Sequence, residues 1–204
     1  MIPVLLQPEP HNFDAKVRVP GRRFLTKTPN PTHDEYKKNS FWKQAANELY
    51  EAYRHVCAYT CRYVDPVGSI DHFKSKSLHP QLAYEWSNYR LCTHRVNLHK
   101  GASADVVDPF LVEPGWFVLD FPSCLVKAGA NLDQTMRERV DATIRTLKLN
   151  DDDSFVQDRC DYMMDFANGA VSLGHLEKRR PFLAVEIERQ GIAQTAASIF
   201  KTLL

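Results

Sequence analysis

The sequence predicts an α+β protein, and three observations carry that prediction. A helical hydrophobic spacing runs through residues 34–58, a short strand-like segment with a turn signature occupies residues 61–73, and amphipathic helical patterns dominate beyond residue 130. At 204 residues, 44% of them apolar, the chain can bury a core.

Residues 1–33 are rich in proline and basic residues, in runs such as PEP, RVPGRRF and TPNPTH, and read as an extended N-terminal arm. Arg22 and Arg23 read as part of its solvated surface. From Asp34 to Ala58, Phe41, Ala45, Leu49 and Tyr53 recur every fourth residue, Ala46 widens the face, and Ser40 is the expected N-cap. Between Cys61 and Phe73 the DPVG sequence predicts a tight two-stranded hairpin that turns at Pro66 and Gly68. Residues 74–91 lack periodicity and read as a long ordered loop. A short helix is expected between Asn88 and Gly101, closed by that glycine.

Beyond it, DVVDPFLVEPGWFVLDF alternates like a strand broken by prolines. NLDQTMRERVDATIRTLKLN places Met136, Val140, Ile144 and Leu147 on one helical face. The acidic run Asp151 to Asp153 reads as charge complementing the dipole of a following helix, one that holds Phe155, Arg159 and Tyr162, and not as a metal site. Arg180 to Leu204 is expected to be mostly helical.

The net charge of +1 hides an asymmetry. Residues 1–104 carry 15 Lys or Arg against 9 Asp or Glu, and residues 105–204 carry 11 against 16. A basic first half suits a polyanionic substrate, and an acidic second half suits a protein partner. No apolar run approaches the roughly 18–20 residues a membrane span needs, and MIPVLLQPEP lacks a basic leader, so neither a membrane span nor a signal peptide is expected. Five cysteines (Cys57, Cys61, Cys92, Cys124, Cys160), an odd number, argue for a reducing cytoplasm and against a disulfide framework.

Chemistry concentrates between His55 and Gly101, which holds five of the eight histidines and three of the five cysteines. Within it lies GSIDHFKSKS. Asp71 is a candidate ligand for a hard cation, and His72 a candidate general base, its ordinary pKa lying close to working pH. Asn97 is a second candidate oxygen ligand, and Lys76 and Lys100 are candidates to neutralise phosphate charge. Together these groups suit metal-assisted attack of water on a phosphodiester.

The segments CAYTC, DHFKSKS, EWSNYRLC and NLHKG, in that order, resemble the HNH family of ββα-metal nucleases. They are most similar to the branch whose pattern runs CAYC, DHF.PKS, WSN, then C..CN..KG. The resemblance implies a hairpin, a long loop and a helix around one divalent metal, Mg2+ or Mn2+. It implies His72 as general base, Asp71 as the metal-ligating acid, Asn88 as the residue that ties the loop and orients the base, and Asn97 as the last metal ligand. Lys76 matches the lysine of PKS, with Ser75 in place of the proline; Trp86 reads as a core anchor for the loop, and His99 as a surface or phosphate-contacting residue.

Many family members also hold structural zinc on two C-x-x-C knuckles. Here the candidates are Cys57, Cys61 and Cys92, but Val96 stands where the fourth cysteine would be, and only His94 or His99 could complete the set. The cysteines are therefore expected to pack as small buried groups and not to bind structural Zn2+.

VDPFLV and ATIRTLKLNDDDSFVQDR resemble the downstream region of HNH proteins from retron-associated and Septu-type (PtuB-like) anti-phage defence operons, and the resemblance spans roughly residues 40–160. It implies a cytoplasmic DNA endonuclease working beside an SMC- or ABC-type ATPase, and with a retron reverse transcriptase and its msDNA where the operon is of that kind. The expected organisation is an arm (1–33), an HNH core with a preceding helix (34–104), and a mostly helical, partner-binding extension (105–204). Two other readings remain open: cleavage of RNA, tRNA or single strands by the same chemistry, and a non-catalytic nucleic-acid-binding or assembly subunit.

Overall fold

The computed structural model describes residues 1–65 and 68–201, the side chains of Phe200 and Lys201 excepted, and the protein is α+β with two small antiparallel sheets. The chain divides into two compact units. The first comprises Leu5–Ala58 and Val64–Ala104; the second comprises Met1–Val4, Tyr59–Tyr63 and Asp105–Leu204.

In the first unit residues 5–10 carry no regular secondary structure, as an arm would, but helix takes over much of the remaining stretch expected to be extended. A wide turn at Asp14–Arg18 runs directly into α1 (Val19–Lys27). Phe13, Val17 and Gly21, each four residues apart, are buried, so the segment has an apolar stripe after all. Pro20 follows directly on the wide turn at Asp14–Arg18, where the regular i→i+4 pattern is already interrupted. Gly21 is required by packing: a Cβ there would stand 2.1 Å from Cγ of the Tyr84 ring. Gly21→Ala is therefore expected to destabilise the protein. Alanine favours a helix by about 1 kcal/mol over glycine, but overpacking typically costs about 1–3 kcal/mol. A raised thermal midpoint for the variant would show that Tyr84 yields freely.

The helix expected over 34–58 is two helices. In α2 (His33–Lys38), Thr32 and Glu35 form a reciprocal capping box: Thr32 Oγ1 accepts from the Glu35 N–H, and Glu35 Oε2 accepts from the Thr32 N–H at 2.8 Å. The chain then turns at Asn39 and Ser40, passes through a 3-10 turn at Phe41–Ala45 and enters α3 (Ala46–Ala52). Ser40 caps nothing; its hydroxyl donates back to Lys37 O. The stripe Ala45, Leu49 and Tyr53 is buried as its spacing implies.

The expected hairpin within 61–73 is replaced by a longer-range pairing. β1 (Ser69–His72) pairs antiparallel with β2 (Tyr89–Cys92), which comes from beyond the long loop, in the register Ser69–Cys92, Ile70–Leu91, Asp71–Arg90 and His72–Tyr89. Pro66, the expected turn residue, lies outside the described residues; Gly68 directly precedes β1. Local turn chemistry lost to the pairs Ile70–Leu91 and His72–Tyr89, buried except at the half-buried Ile70, which fix the register by side-chain packing. α4 (His94–Lys100) follows β2 at once, started by Thr93 accepting from Val96 N–H and ended by Gly101 at φ +51.

In the second unit β3 (Phe117–Asp120) and β4 (Leu125–Ala128) form an antiparallel ribbon. α5 (Gln134–Thr146) is capped by Asp133 and buries Val140 and Ile144, with Leu147 just past its end. Asp152 caps α6 (Asp153–Ala167), and Asp153 in its first turn stands where a negative charge complements the dipole, as expected of that acidic run. α7 (Leu173–Arg179), α8 (Pro181–Arg189) and α9 (Ala196–Lys201) complete the unit. Among the described residues no helix is long and apolar enough to cross a membrane.

Glu186 on α8 is 1% exposed and ties α8 to β3: it accepts from Leu119 N–H at 2.8 Å, from Arg189 and from Gln190. Burial alone would raise its pKa, but the Arg189, Leu119 and Gln190 donors outweigh this and hold it below the ordinary 4.5. A carboxylate with a depressed folded-state pKa contributes stability that is complete above 4.5 and lost as pH falls through its folded value. The urea midpoint is therefore expected to drop on acidification below that point, and less steeply in Glu186→Gln. Identical slopes would show that other carboxylates carry the acid limb.

Candidate active site

β1 alternates, and its alternation sorts the chemistry. Ser69 and Asp71 face α4; Ile70 and His72 face the opposite side, across from Leu91 and Tyr89. His72 is 7% exposed, and its ring lies edge-to-face with Trp42 at 4.9 Å and Tyr89 at 5.2 Å. Its Nε2 sits 2.9 Å from Ala83 O. A carbonyl oxygen can only accept, so Nε2 carries the proton. Burial first, then the Lys76 ammonium, lowers the His72 pKa to about 3, against the pull of the Ala83 carbonyl. The imidazole is thus neutral with its lone pair on Nδ1, the atom that no described residue hydrogen-bonds. This is the protonation state a general base needs.

Asn88, at the end of the turn Trp86–Asn88, is buried and spends its whole amide on the loop. Oδ1 accepts from Lys74 N–H at 2.8 Å, and Nδ2 donates to Lys74 O at 3.0 Å and Leu82 O at 3.1 Å. Its own carbonyl accepts from Phe73 N–H at 2.9 Å. These bonds close residues 73–88 into a loop whose interior presents the Ala83 carbonyl to His72. Asn88 acts on the surroundings of His72 through the loop backbone and has no hydrogen bond to the imidazole among the described residues. Trp86 is a core anchor: it is 3% exposed, its indole donates to Gln7 O at 2.8 Å, and Phe13 packs on it edge-to-face.

On the other face of β1, α4 presents Asn97 and Lys100, one turn apart. Asn97 Nδ2 donates to Ser69 Oγ at 2.7 Å, and Lys100 Nζ donates to Asp71 Oδ1 at 3.0 Å. The two bonds occupy successive same-side positions of β1, which sets the Asn97 amide and the Asp71 carboxylate on neighbouring rungs. Lys100 also donates to His72 O at 3.3 Å and Phe73 O at 3.1 Å, and it is 2% exposed. This corrects the expected role of Lys100: an ammonium sealed among three acceptors does not reach a nucleic-acid phosphate. It is the internal counter-ion of Asp71.

Among the described residues, no three His, Cys, Asp or Glu side chains converge as a metal cage. The donor set here is a carboxylate and an amide oxygen. That set suits a hard cation such as Mg2+, which keeps several waters and takes the rest of its shell from phosphate oxygens. Asp71 and Asn97 therefore fit such an ion as two protein ligands, with Lys100 competing for Oδ1. Cys57 and Cys92 are buried in the first unit, and Cys61 belongs to the second. Burial, with Cys57 beside it, pushes the Cys92 thiol well above its ordinary pKa, so it stays protonated.

Lys76 is half-buried, its Nζ 5.4 Å from the Trp42 ring and 5.8 Å from the Tyr36 ring. Burial lowers its pKa, and Asp71 partly opposes that. Arg22, expected to be solvated, is largely so but pairs with Glu85 at 2.8 Å. Sequence reasoning missed Trp42 and the Ala83 carbonyl. The aromatic pair Phe41–Trp42 was a visible signal for the first; nothing in a sequence marks a backbone oxygen.

Compared with known families and curated proteins, the chain matches no family model and no curated sequence.

Proposed function

We infer that this protein is a divalent-metal-dependent endonuclease of the HNH, ββα-metal type, hydrolysing DNA phosphodiesters. The observation that carries the reading is His72: a neutral imidazole with Nε2–H fixed on Ala83 O and Nδ1 as the acceptor. The order β1, Asn88-tied loop, β2, α4 supports it, because it brings His72, Asn88, Asp71 and Asn97 onto one small unit.

In this mechanism His72 Nδ1 takes a proton from water as the water oxygen attacks phosphorus and the bond to the 3′ oxygen breaks. Asp71 and Asn97 would hold Mg2+ or Mn2+, which would supply charge stabilisation for the departing oxygen. Asn88 holds the loop so that Nε2 stays bonded and only Nδ1 is available to the proton. The products carry 5′-phosphate and 3′-hydroxyl ends. So small a site contacts mainly backbone, which confers little sequence preference. Targeting is assigned to a partner, an SMC- or ABC-type ATPase in an anti-phage complex (with a retron reverse transcriptase and its msDNA in one such arrangement), contacted through residues 105–204; this part of the reading rests on the resemblance alone.

The burial of His72 and the hold of Lys100 on Asp71 favour a second reading, a non-catalytic assembly subunit. The test is nicking of supercoiled plasmid, and of single-stranded DNA and tRNA, with Mg2+, Mn2+ or EDTA, by the chain alone and together with an SMC- or ABC-type ATPase from the same operon. Metal-dependent cutting is expected in at least the second case. Absence of cutting in both, with the complex intact, would leave the assembly reading.

A further inference from the structure

We propose that Trp42 is a movable cover over His72, latched by Lys76, so that the site as folded is closed and an opening step precedes chemistry. The proposal rests on the reading of His72 as a base, which must come within hydrogen-bond reach of a water. At 7% exposure His72 is largely covered. Two rings flank it, and they differ: Tyr89 is fully buried at 0%, whereas Trp42 is half-exposed and is therefore the flanking ring on the solvent side.

Trp42 stands in the 3-10 turn Phe41–Ala45, which has no side-chain cap, between the two short helices α2 and α3. A five-residue turn held by i→i+3 bonds is a place where a side chain and its backbone can shift without unwinding a helix. The ring packs on Tyr84 at 5.7 Å and Tyr36 at 6.1 Å, and Lys76 adds the polar hold, its ammonium lying over both Trp42 and Tyr36. The Lys76 backbone is tethered as well, its carbonyl accepting from Tyr36 Oη at 2.8 Å. The latch is thus a cation on two aromatic faces. A phosphate ester, which pairs with an ammonium more strongly than a ring face does, competes for that cation.

The test is acylation of unprotonated imidazoles by diethyl pyrocarbonate at neutral pH, followed residue by residue by peptide mass spectrometry, with exposed His11 and His33 as internal references. In the wild type, His72 is expected to react at least tenfold more slowly than His33. Trp42→Ala is expected to raise the His72 rate at least tenfold and Lys76→Ala severalfold, while Trp42→Phe keeps it slow. Wild-type His72 reacting as fast as His33, or a rate unchanged in Trp42→Ala, overturns the cover; a rate unchanged in Lys76→Ala overturns the latch. Should Trp42→Ala fail to fold, the wild type against Lys76→Ala decides. Labelling does not depend on cleavage, so a chain that labels as expected but never cuts sinks the nuclease reading and leaves the cover standing.

Discussion

His72→Ala is expected to lose metal-dependent cleavage by a factor of about 10^2–10^4 while the chain stays folded, the span general-base catalysis contributes. The loss is specific because nothing else near the site replaces Nδ1. Lys76 and Lys100 are donors, and Asp71 lies on the opposite face of β1. The fold survives because the substitution leaves the Ala83 carbonyl with a second donor, the Tyr89 hydroxyl at 3.0 Å. What remains is a cavity between Trp42 and Tyr89, and added imidazole is expected to restore part of the rate by filling it. The measurement is the initial nicking rate beside a circular-dichroism melt. Unchanged cutting by a folded His72→Ala chain would remove His72 from the chemistry altogether.

The largest effect on stability is expected from Lys100. Removing one partner of a buried ion pair typically costs about 3–5 kcal/mol, because the other charge is left without compensation. Here Lys100→Met would strand Asp71 and take a donor from two carbonyls besides. The single variant is expected to be far less stable in urea than the double variant Lys100→Met with Asp71→Asn, which removes the stranded charge. A phosphate-contacting lysine would behave in the opposite way, lowering affinity for DNA and leaving stability untouched. A Lys100→Met chain as stable as the wild type would return Lys100 to the surface role its sequence context suggested.

Some of this was legible in the sequence, for identifiable reasons. The α5 helix was, because four apolar residues at helical spacing leave little choice, and so was the closure of α4 by Gly101. His72, Asn88 and Asn97 could be singled out as a pattern of residue types, and the fold brings them onto one unit. The first helix was not: Pro20 and Gly21 look like breakers, and only the fold shows that one follows a wide helical turn and the other lies under the Tyr84 ring. The partner of β1 was missed because a four-residue strand carries too little local signal to name its mate. Lys100 was misassigned for a deeper reason. Sequence records that an ammonium is present near an acid, but not whether water or phosphate can reach either.

The register of β1 on β2 sets what evolution could vary in this site. Loop residues such as Ser77 and Leu78, the latter 67% exposed, can accept inserted residues with little penalty, since the anchors at Asn88 and Ala83 lie beyond them. A single residue inserted in β1 ahead of Asp71 is another matter: it would turn the imidazole toward α4 and the carboxylate toward Tyr89 in one step. Length variation in descendants of this chain should therefore collect in the loop and stop abruptly at Ser69 and His72.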